Sequence, residues 1–354
     1  MNLGSIAVSS EHDSTVTPRV SVLMPCYNVE DTLDECMRSL VDQTLRDIEI
    51  VAVDDGSTDE TLSMLQDWAR KDSRIRVLAR EHAGIIPALN AGWKACRSGY
   101  IARMDADDRS HLERMEKQAQ FLDEHPDIAL TASLVEGFPK EHLREGFRIY
   151  IAWLNSLVET EDLAREIFIE SPLAHPSVMM RREWLENVDG YQDYGWPEDY
   201  DLWLRMHLAG ARMQKVPEVL LYWREHPARL TRTDSRYAVE AFLKAKAHYL
   251  CEGPLQDSDA VIVWGSGQMG KRLSKHLIRE GAKIIAFIDV DPGKIGRTRR
   301  GIPIYAPEAL PEFLAREGNA FVLSAVGSRG ARPKIRAHLN QLGLQEGKNW
   351  WCVA

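Results

Sequence analysis

No stretch of this sequence approaches the roughly 18 to 20 uninterrupted apolar residues that a membrane span requires. No CxxC pair is present either. Cys26, Cys36, Cys96, Cys251 and Cys352 are scattered and odd in number, which argues against a disulfide framework or a zinc site. Positive charge is also short: 44 Lys plus Arg face 53 Asp plus Glu, for a formal charge of −9. That balance argues against nucleic acid or an anionic lipid surface as a broad partner. The N-terminal "MNLGSIAVSSEHDSTVTP" lacks the basic start and apolar middle of a secretory leader. These absences leave the expectation of a soluble, cytoplasmic protein with reduced thiols. At 354 residues and 44% hydrophobic content, it is long enough to bury a full core and to hold two domains.

What is present is a regular alternation. After a polar tail over residues 1–17, "VSVLMP" from Val20 reads as a buried strand and "EDTLDECMRSLVDQ" from Glu30 as an amphipathic helix. "IEIVAVDDGS" from Ile48 reads as a second strand, followed by a helix from about Asp59 to Arg70. "IRVLAR" from Ile75 is a third strand, "GIIPALNAGWKACRSG" carries a third helix, and "YIARMDADD" from Tyr100 is a fourth strand. The next helix is expected to start at "SHLE", with Ser110 and Glu113 as a capping box. Strands alternating with helices predict a parallel sheet covered on both faces.

Such sheets bind ligands outside the carboxyl ends of their strands. Asp54 and Asp55 end the second strand, and Asp105, Asp107 and Asp108 end the fourth, so both groups are expected on one rim. Crowded carboxylates repel one another unless a cation sits among them, and an oxygen-only set suits Mg²⁺ or Mn²⁺. The plainer reading is that they are solvated loop and N-cap acids.

In order, "VSVLMPCYN", "VAVDDGSTD", "EHAGIIPALNAG", "YIARMDADD", "HPSVMMRR" and "PEDYDLWLR" resemble the family-2 glycosyltransferases, inverting enzymes with the α/β GT-A fold. The resemblance spans about Pro18 to Arg232. It implies that Pro25, Tyr27 and Asn28 receive the nucleotide of a nucleoside-diphosphate sugar, and that Asp55, with Asp54 beside it, contacts the base, usually uracil. Asp105 and Asp107 match the Asp-x-Asp pair, Asp107 as direct metal ligand and Asp105 as ribose or water-mediated contact. Asp108 is read as a helix-end acid. Glu198 and Asp199 match the family's Glu-Asp motif, with Asp199 as general base toward an acceptor hydroxyl and Glu198 as its rival. An acid at a helix start is also commonly structural. "LAHPSVMMRR" places His175 in the acceptor region, against the alternative of a packed loop residue. Arg224 and His226, then Arg229 and Arg232, are expected to close over a diphosphate, or else to form a basic loop balancing the acidic rim. Donor and acceptor choice is assigned to loops between Glu136 and Trp196.

A helical link over residues 233–256 leads to a second α/β text over residues 257–354. "DAVIVWGSGQMGKRLSKHLIREGAKIIAFIDVDP" has a strand, Gly265, Gly267 and Gly270 as G-x-G-x-x-G, a helix, another strand and Asp289 at its end. That context fits a nucleotide or dinucleotide site, with glycines for the turn and an acid for ribose hydroxyls. The unit resembles the small Rossmann-like domains attached to sugar-modifying enzymes. It reads either as a nucleotide-binding unit or as a docking module that keeps the motif for tight packing.

Three functional readings follow. The first is a metal-dependent inverting transferase that moves a sugar from a UDP-type donor to a glycan, lipid-linked or small-molecule hydroxyl. A lipid-linked acceptor would require peripheral membrane docking, for which "IYIAWLNSLVE" from Ile149 is a candidate surface. The second is a phosphatase of the haloacid-dehalogenase type, since "IVAVDDGSTDETL" is similar to its nucleophile loop. It fails because Asp54 and Asp55 are adjacent, so their side chains leave an extended strand on opposite faces. The third is a nucleotide-sensing scaffold that works through the C-terminal unit alone.

Overall fold

The fold was obtained as a computed structural model, which describes residues 17–354; the expected tail, but for its last residue, lies outside the described residues. The first unit runs β1 (Val20–Cys26), α1 (Glu30–Val41), β2 (Ile48–Asp54), α2 (Thr61–Lys71), β3 (Ile75–Ala79), α3 (Ile85–Ala95), β4 (Tyr100–Arg103) and β5 (Arg109–Ser110). It continues with α4 (Arg114–Glu124), β6 (Ile128–Phe138), α5 (Glu145–Ser156), α6 (Thr160–Glu166), β7 (Met179–Arg181), α7 (Arg182–Asn187), α8 (Glu198–Leu208) and β8 (Arg212–Arg224). Every residue of β2 is buried, as a strand covered on both faces requires. In α1, Leu33, Cys36, Met37 and Leu40 are buried at helical spacing and dock one stripe on the sheet.

The strands lie in the order β3-β2-β1-β4-β7-β6-β8-β5. The first four are parallel, as expected. Beyond them the expected parallel sheet becomes mixed: β7 runs antiparallel to both β4 and β6, and β5 antiparallel to β8. β7 and β5 are only three and two residues long, too short to leave a period in the sequence. The capping box is corrected for the same reason. Ser110 is drawn into β5 and its backbone N–H donates to Ser39 Oγ, so the helix begins at Arg114 with no side-chain cap.

The second unit is reached through α9 (Leu230–Thr233) and α10 (Val239–Glu252). It contains β9 (Ala260–Trp264), α11 (Gln268–Arg279), β10 (Ile284–Ile288), β11 (Thr298–Arg299), β12 (Ile302–Tyr305), α12 (Leu310–Arg316), β13 (Ala320–Ser324), α13 (Ala331–Gln341) and β14 (Trp350–Cys352). Its sheet order is β11-β12-β10-β9-β13-β14. The two units share apolar packing: Phe168, Leu243, Trp351 and Val353 fall in one buried cluster. Trp351 Nε1 donates to the carbonyl of Arg165 at 2.8 Å, and the buried Glu166 pairs with Arg332 and Arg336. Among the described residues no helix is long and apolar enough to cross a membrane.

Candidate active site

Parallel pairing of β1 with β2 and β4 brings three strand ends to one rim. Pro25 closes β1, opposite Val53. Beyond it, Asn28 adopts a left-handed φ of 50° and its Oδ1 accepts from the backbone N–H of Thr58. Tyr27 is exposed and stacks on His82, ring centroids 4.1 Å apart.

The two acids at the carboxyl end of β2, Asp54 and Asp55, differ in how they are satisfied. Asp55 accepts from the backbone N–H groups of Ala83 and Gly84 and pairs with Arg80 and His82. Its carboxylate therefore holds the loop after β3. Asp54 accepts from Ser57 N–H, while its buried Oδ1 has no partner.

After β4 the chain turns sharply and places Asp105, Asp107 and Asp108 with carboxylate oxygens within 4.8 Å of one another. Asp108 is not a helix-end acid. It lies in the loop before β5, 1% exposed, with Oδ1 accepting from Arg224 N–H at 2.7 Å and Oδ2 buried without a partner. Burial, and then the charges of Asp107 and Asp105, hold its pKa well above the ordinary carboxylate value. Burial raises Asp105 as well, against the pull of Arg103. At Asp107 burial is outweighed by His226, whose Nε2 lies 2.8 Å from Oδ2, and the pKa falls. Three crowded oxygen donors, one of them orphaned, form a set that fits a hard divalent cation.

The basic segment after β8 turns inward on these acids. Arg224 Nε donates to the Asp107 carbonyl at 2.6 Å and its guanidinium also pairs with Glu35. Arg229 and Arg232 bind Glu225. Arg224 and His226 thus stand beside the acids of the rim, while Arg229 and Arg232 are tied to Glu225 of their own loop.

Across the cleft, the first turn of α8 carries three acids with separate fates. Asp201 is fully buried and takes Trp196 Nε1, Arg205 Nε and Tyr249 OH. Glu198 is 2% exposed and both its oxygens lie within 3.0 Å of the Tyr237 hydroxyl. Asp199 is half-buried; Oδ1 accepts from Tyr200 N–H, and Oδ2 has no hydrogen bond among the described residues. Burial and then the neighbouring Glu198 charge push its pKa up to about 8, a value suited to a general base near neutrality. His175 is packed below, 6% exposed, with Nε2 on Tyr191 OH at 2.9 Å and Nδ1 4.0 Å from Glu198. Burial, aided by the Arg103 cation, keeps that imidazole neutral.

Two residues here escaped the sequence reading. Arg103, 2% exposed at the end of β4, pairs through Nη1 with Asp105 and leaves Nε buried without a hydrogen-bond partner. It lies in electrostatic reach of Glu198 and Asp199, so one buried cation serves acids on both sides of the cleft. Its signal was a lone arginine inside the apolar run "YIARM". Tyr237 carried no signal.

In the second unit, Gly265 (φ 106°) turns the chain after β9, and a Cβ at Gly270 would stand 1.8 Å from the Gly265 carbonyl oxygen. Gly270 therefore serves close packing of α11 on the end of β9, and Gly265 serves the turn and its close approach to Ala325 and Val326. Gly267 differs: nothing lies within 4 Å of where its Cβ would be, on the edge of a cleft of about 740 Å³. Asp289 reaches the same cleft, but Oδ2 already accepts from Ser266 N–H and Oγ–H and from Lys294, and Oδ1 from Asp291 N–H.

Comparison with known proteins gives a family match for each unit. The model of the family described as Glycosyl transferase family 2 matches residues 21–189, and that of the CoA binding domain matches residues 256–354. The amylovoran biosynthesis glycosyltransferase AmsE of Erwinia amylovora is 33% identical over 204 residues, 57% of this chain and 74% of the relative. The UDP-Gal:alpha-D-GlcNAc-diphosphoundecaprenol beta-1,3-galactosyltransferase of Escherichia coli is 27% identical over 251 residues, 70% of this chain and 88% of the relative. The crystal structure of S. aureus TarS 1-349 in complex with UDP-GlcNAc aligns with a TM-score of 0.55 at 19% identity, covering 74% of this chain and 72% of that one.

Proposed function

We propose, on the premise that the chain belongs to glycosyl transferase family 2 and is an inverting glycosyltransferase of GT-A fold with a C-terminal Rossmann-like unit, that it transfers a sugar from a UDP donor to a hydroxyl acceptor. The observation that carries this reading is the pairing of an under-satisfied acidic cluster at the end of β4 with a half-buried carboxylate of raised pKa at the start of α8.

Asp107 and Asp105 would hold a divalent cation, Mn²⁺ or Mg²⁺, with His226 beside Asp107 as a further donor atom. Such an ion, when bound, offsets the charge that gathers on a departing diphosphate. The remaining steps belong to the protein. The nucleotide lies along the ends of β1 and β2, where the exposed Tyr27 offers a ring face and Asp55 fixes the loop of His82. Asp199 Oδ2 takes the proton of the acceptor hydroxyl as the acceptor's own oxygen attacks the anomeric carbon, and the bond from that carbon to the diphosphate breaks on the opposite side. Arg103, buried between the two groups of acids, keeps Asp105 turned toward the cleft. UDP as the nucleotide is favoured by the names of the E. coli relative and the TarS complex, and a polysaccharide or lipid-linked acceptor by those of the E. coli and Erwinia relatives. A lipid-linked acceptor would be reached by peripheral docking. The cleft beside Gly267 is read as a ligand site of the second unit.

Thermal shift of the purified protein tests this. UDP-, GDP-, dTDP- and CMP-sugars, NAD(H) and CoA are each measured with Mn²⁺ and with EDTA, since a bound ligand stabilises by mass action. A shift with UDP-sugars that EDTA abolishes is expected. A shift with UDP-sugars indifferent to EDTA removes the metal from the reading, and a shift confined to another nucleotide class removes UDP.

A further inference from the structure

Glu198 and Asp199 are consecutive acids in the first turn of α8, and either one has the chemistry of a base. A hydrogen-bonding partner separates them. The hydroxyl of Tyr237 lies 2.7 Å from Glu198 Oε2 and 3.0 Å from Oε1, so both oxygens share one donor. Asp199 has no such partner and keeps Oδ2 open.

Tyr237 belongs to neither matched region, since residues 190–255 fall between the two family matches. It closes a single turn, Ser235–Tyr237, whose N-cap Asp234 accepts from Arg236 N–H. This turn is held fast against α8. Immediately after it comes α10, from which Tyr249 donates to Asp201 at 2.6 Å and Phe242 packs on Tyr200 with ring centroids 5.4 Å apart. Three side chains of the link thus hold positions 198, 200 and 201 of this turn, and Asp199 between them receives no hydrogen bond from the link.

We propose that Tyr237 is a positioning residue: by claiming Glu198 it leaves Asp199 as the group that receives the acceptor proton, and it makes the segment between the two units part of the transferase site. The inference rests on the transferase reading above but names no nucleotide. Burial raises the pKa of Glu198 and the Tyr237 hydroxyl works against that rise; the negative charge so favoured beside Asp199 strengthens that residue's hold on a proton. A tyrosine present only for packing would do neither.

The test compares wild type, Tyr237→Phe, Glu198→Gln and the double variant by release of UDP from UDP-GlcNAc and UDP-Gal in Mn²⁺, together with calorimetric binding of UDP. Phenylalanine keeps the ring and its packing. Tyr237→Phe is expected to lower kcat by about tenfold, with KM and UDP affinity within about twofold, because proton transfer is disturbed and donor binding is not. In the Glu198→Gln background the same substitution should cost less than about twofold, since the interaction it removes is already changed. Wild-type kcat in Tyr237→Phe overturns the proposal, as does an undiminished loss in the Glu198→Gln background. If wild type releases UDP from neither sugar, the donor reading fails instead, and the four proteins are compared on the nucleotide-sugar that the thermal-shift panel selects.

Discussion

Each unit of this chain has a run of parallel strands, ends one of them in an acid and opens a cleft beside it, yet the acids are treated in opposite ways. At the end of β10, Asp289 is surrounded by donors: a backbone N–H and hydroxyl from Ser266, another N–H from Asp291, and Lys294. These outweigh burial and lower its pKa. At the end of β4, Asp105, Asp107 and Asp108 face one another; Asp108 Oδ2 has no partner, and the pKa values of Asp105 and Asp108 are raised. A fold left to maximise its own stability would not bury like charges this way. The difference separates an acid that its surroundings satisfy from acids that theirs leave crowded and under-satisfied.

The largest expected effect breaks the second half of that contrast. Asp107→Ala should abolish Mn²⁺-dependent binding of UDP and lower transfer by about a thousandfold or more, read by calorimetry with and without EDTA. If Mn²⁺-dependent binding survives, the cluster is not the metal site and its crowding has another cause.

Next in size is Asp199→Asn. UDP affinity should persist while transfer falls by about 10²- to 10⁴-fold, the span of general-base contributions. A base with a pKa of about 8 is protonated in acid, so kcat should climb with pH to a plateau above about 8. Stability runs the other way. A carboxylate whose folded pKa lies above its unfolded value of 3.8 contributes stability that is complete at low pH and is lost as pH rises toward 8. The melting temperature of metal-free wild type should therefore fall over that window more steeply than that of Asp199→Asn. A parallel pair of curves would remove Asp199 as the perturbed group.

How far all this could be read from the sequence depends on how many residues each feature occupies. β1 to β4 and α1 to α3 were legible because apolar runs bounded by breakers, and a helical period of 3.6, ran over whole elements. β5 and β7, at two and three residues, carry no period, and they are what turn the sheet from parallel to mixed. In the site, Asp54, Asp55, Asp105 and Asp107 stood out because strand ends define a rim. Arg103 and Tyr237 did not, since each acts through contacts with residues far away in sequence: Arg103 reaches α8, and Tyr237 reaches back 39 positions to Glu198. Asp108 was misread for a related reason. Its hydrogen bond comes from Arg224, 116 positions later, and no local pattern announces it.

The smallest expected effect tests the comparison most directly, because it predicts a sign. Asparagine at 289 would turn an N–H₂ toward donors that now meet a carboxylate, so Asp289→Asn should cost about 1–3 kcal/mol of stability, the penalty for unmade buried hydrogen bonds. Asparagine at 108 can keep an oxygen for Arg224 N–H while removing a charge that Asp107 and Asp105 oppose. Asp108→Asn should therefore raise the melting temperature of the metal-free protein. The gain should grow as pH increases, because wild type loses stability as Asp108 is driven to ionise and the asparagine does not. Adding Mn²⁺ with UDP should cancel the gain, since a cation among the acids removes the repulsion that the substitution relieved. Equal losses at both positions would mean that the two acids are architectural alike. The distinction between the two units would then rest on sequence resemblance rather than on how each satisfies its buried charge.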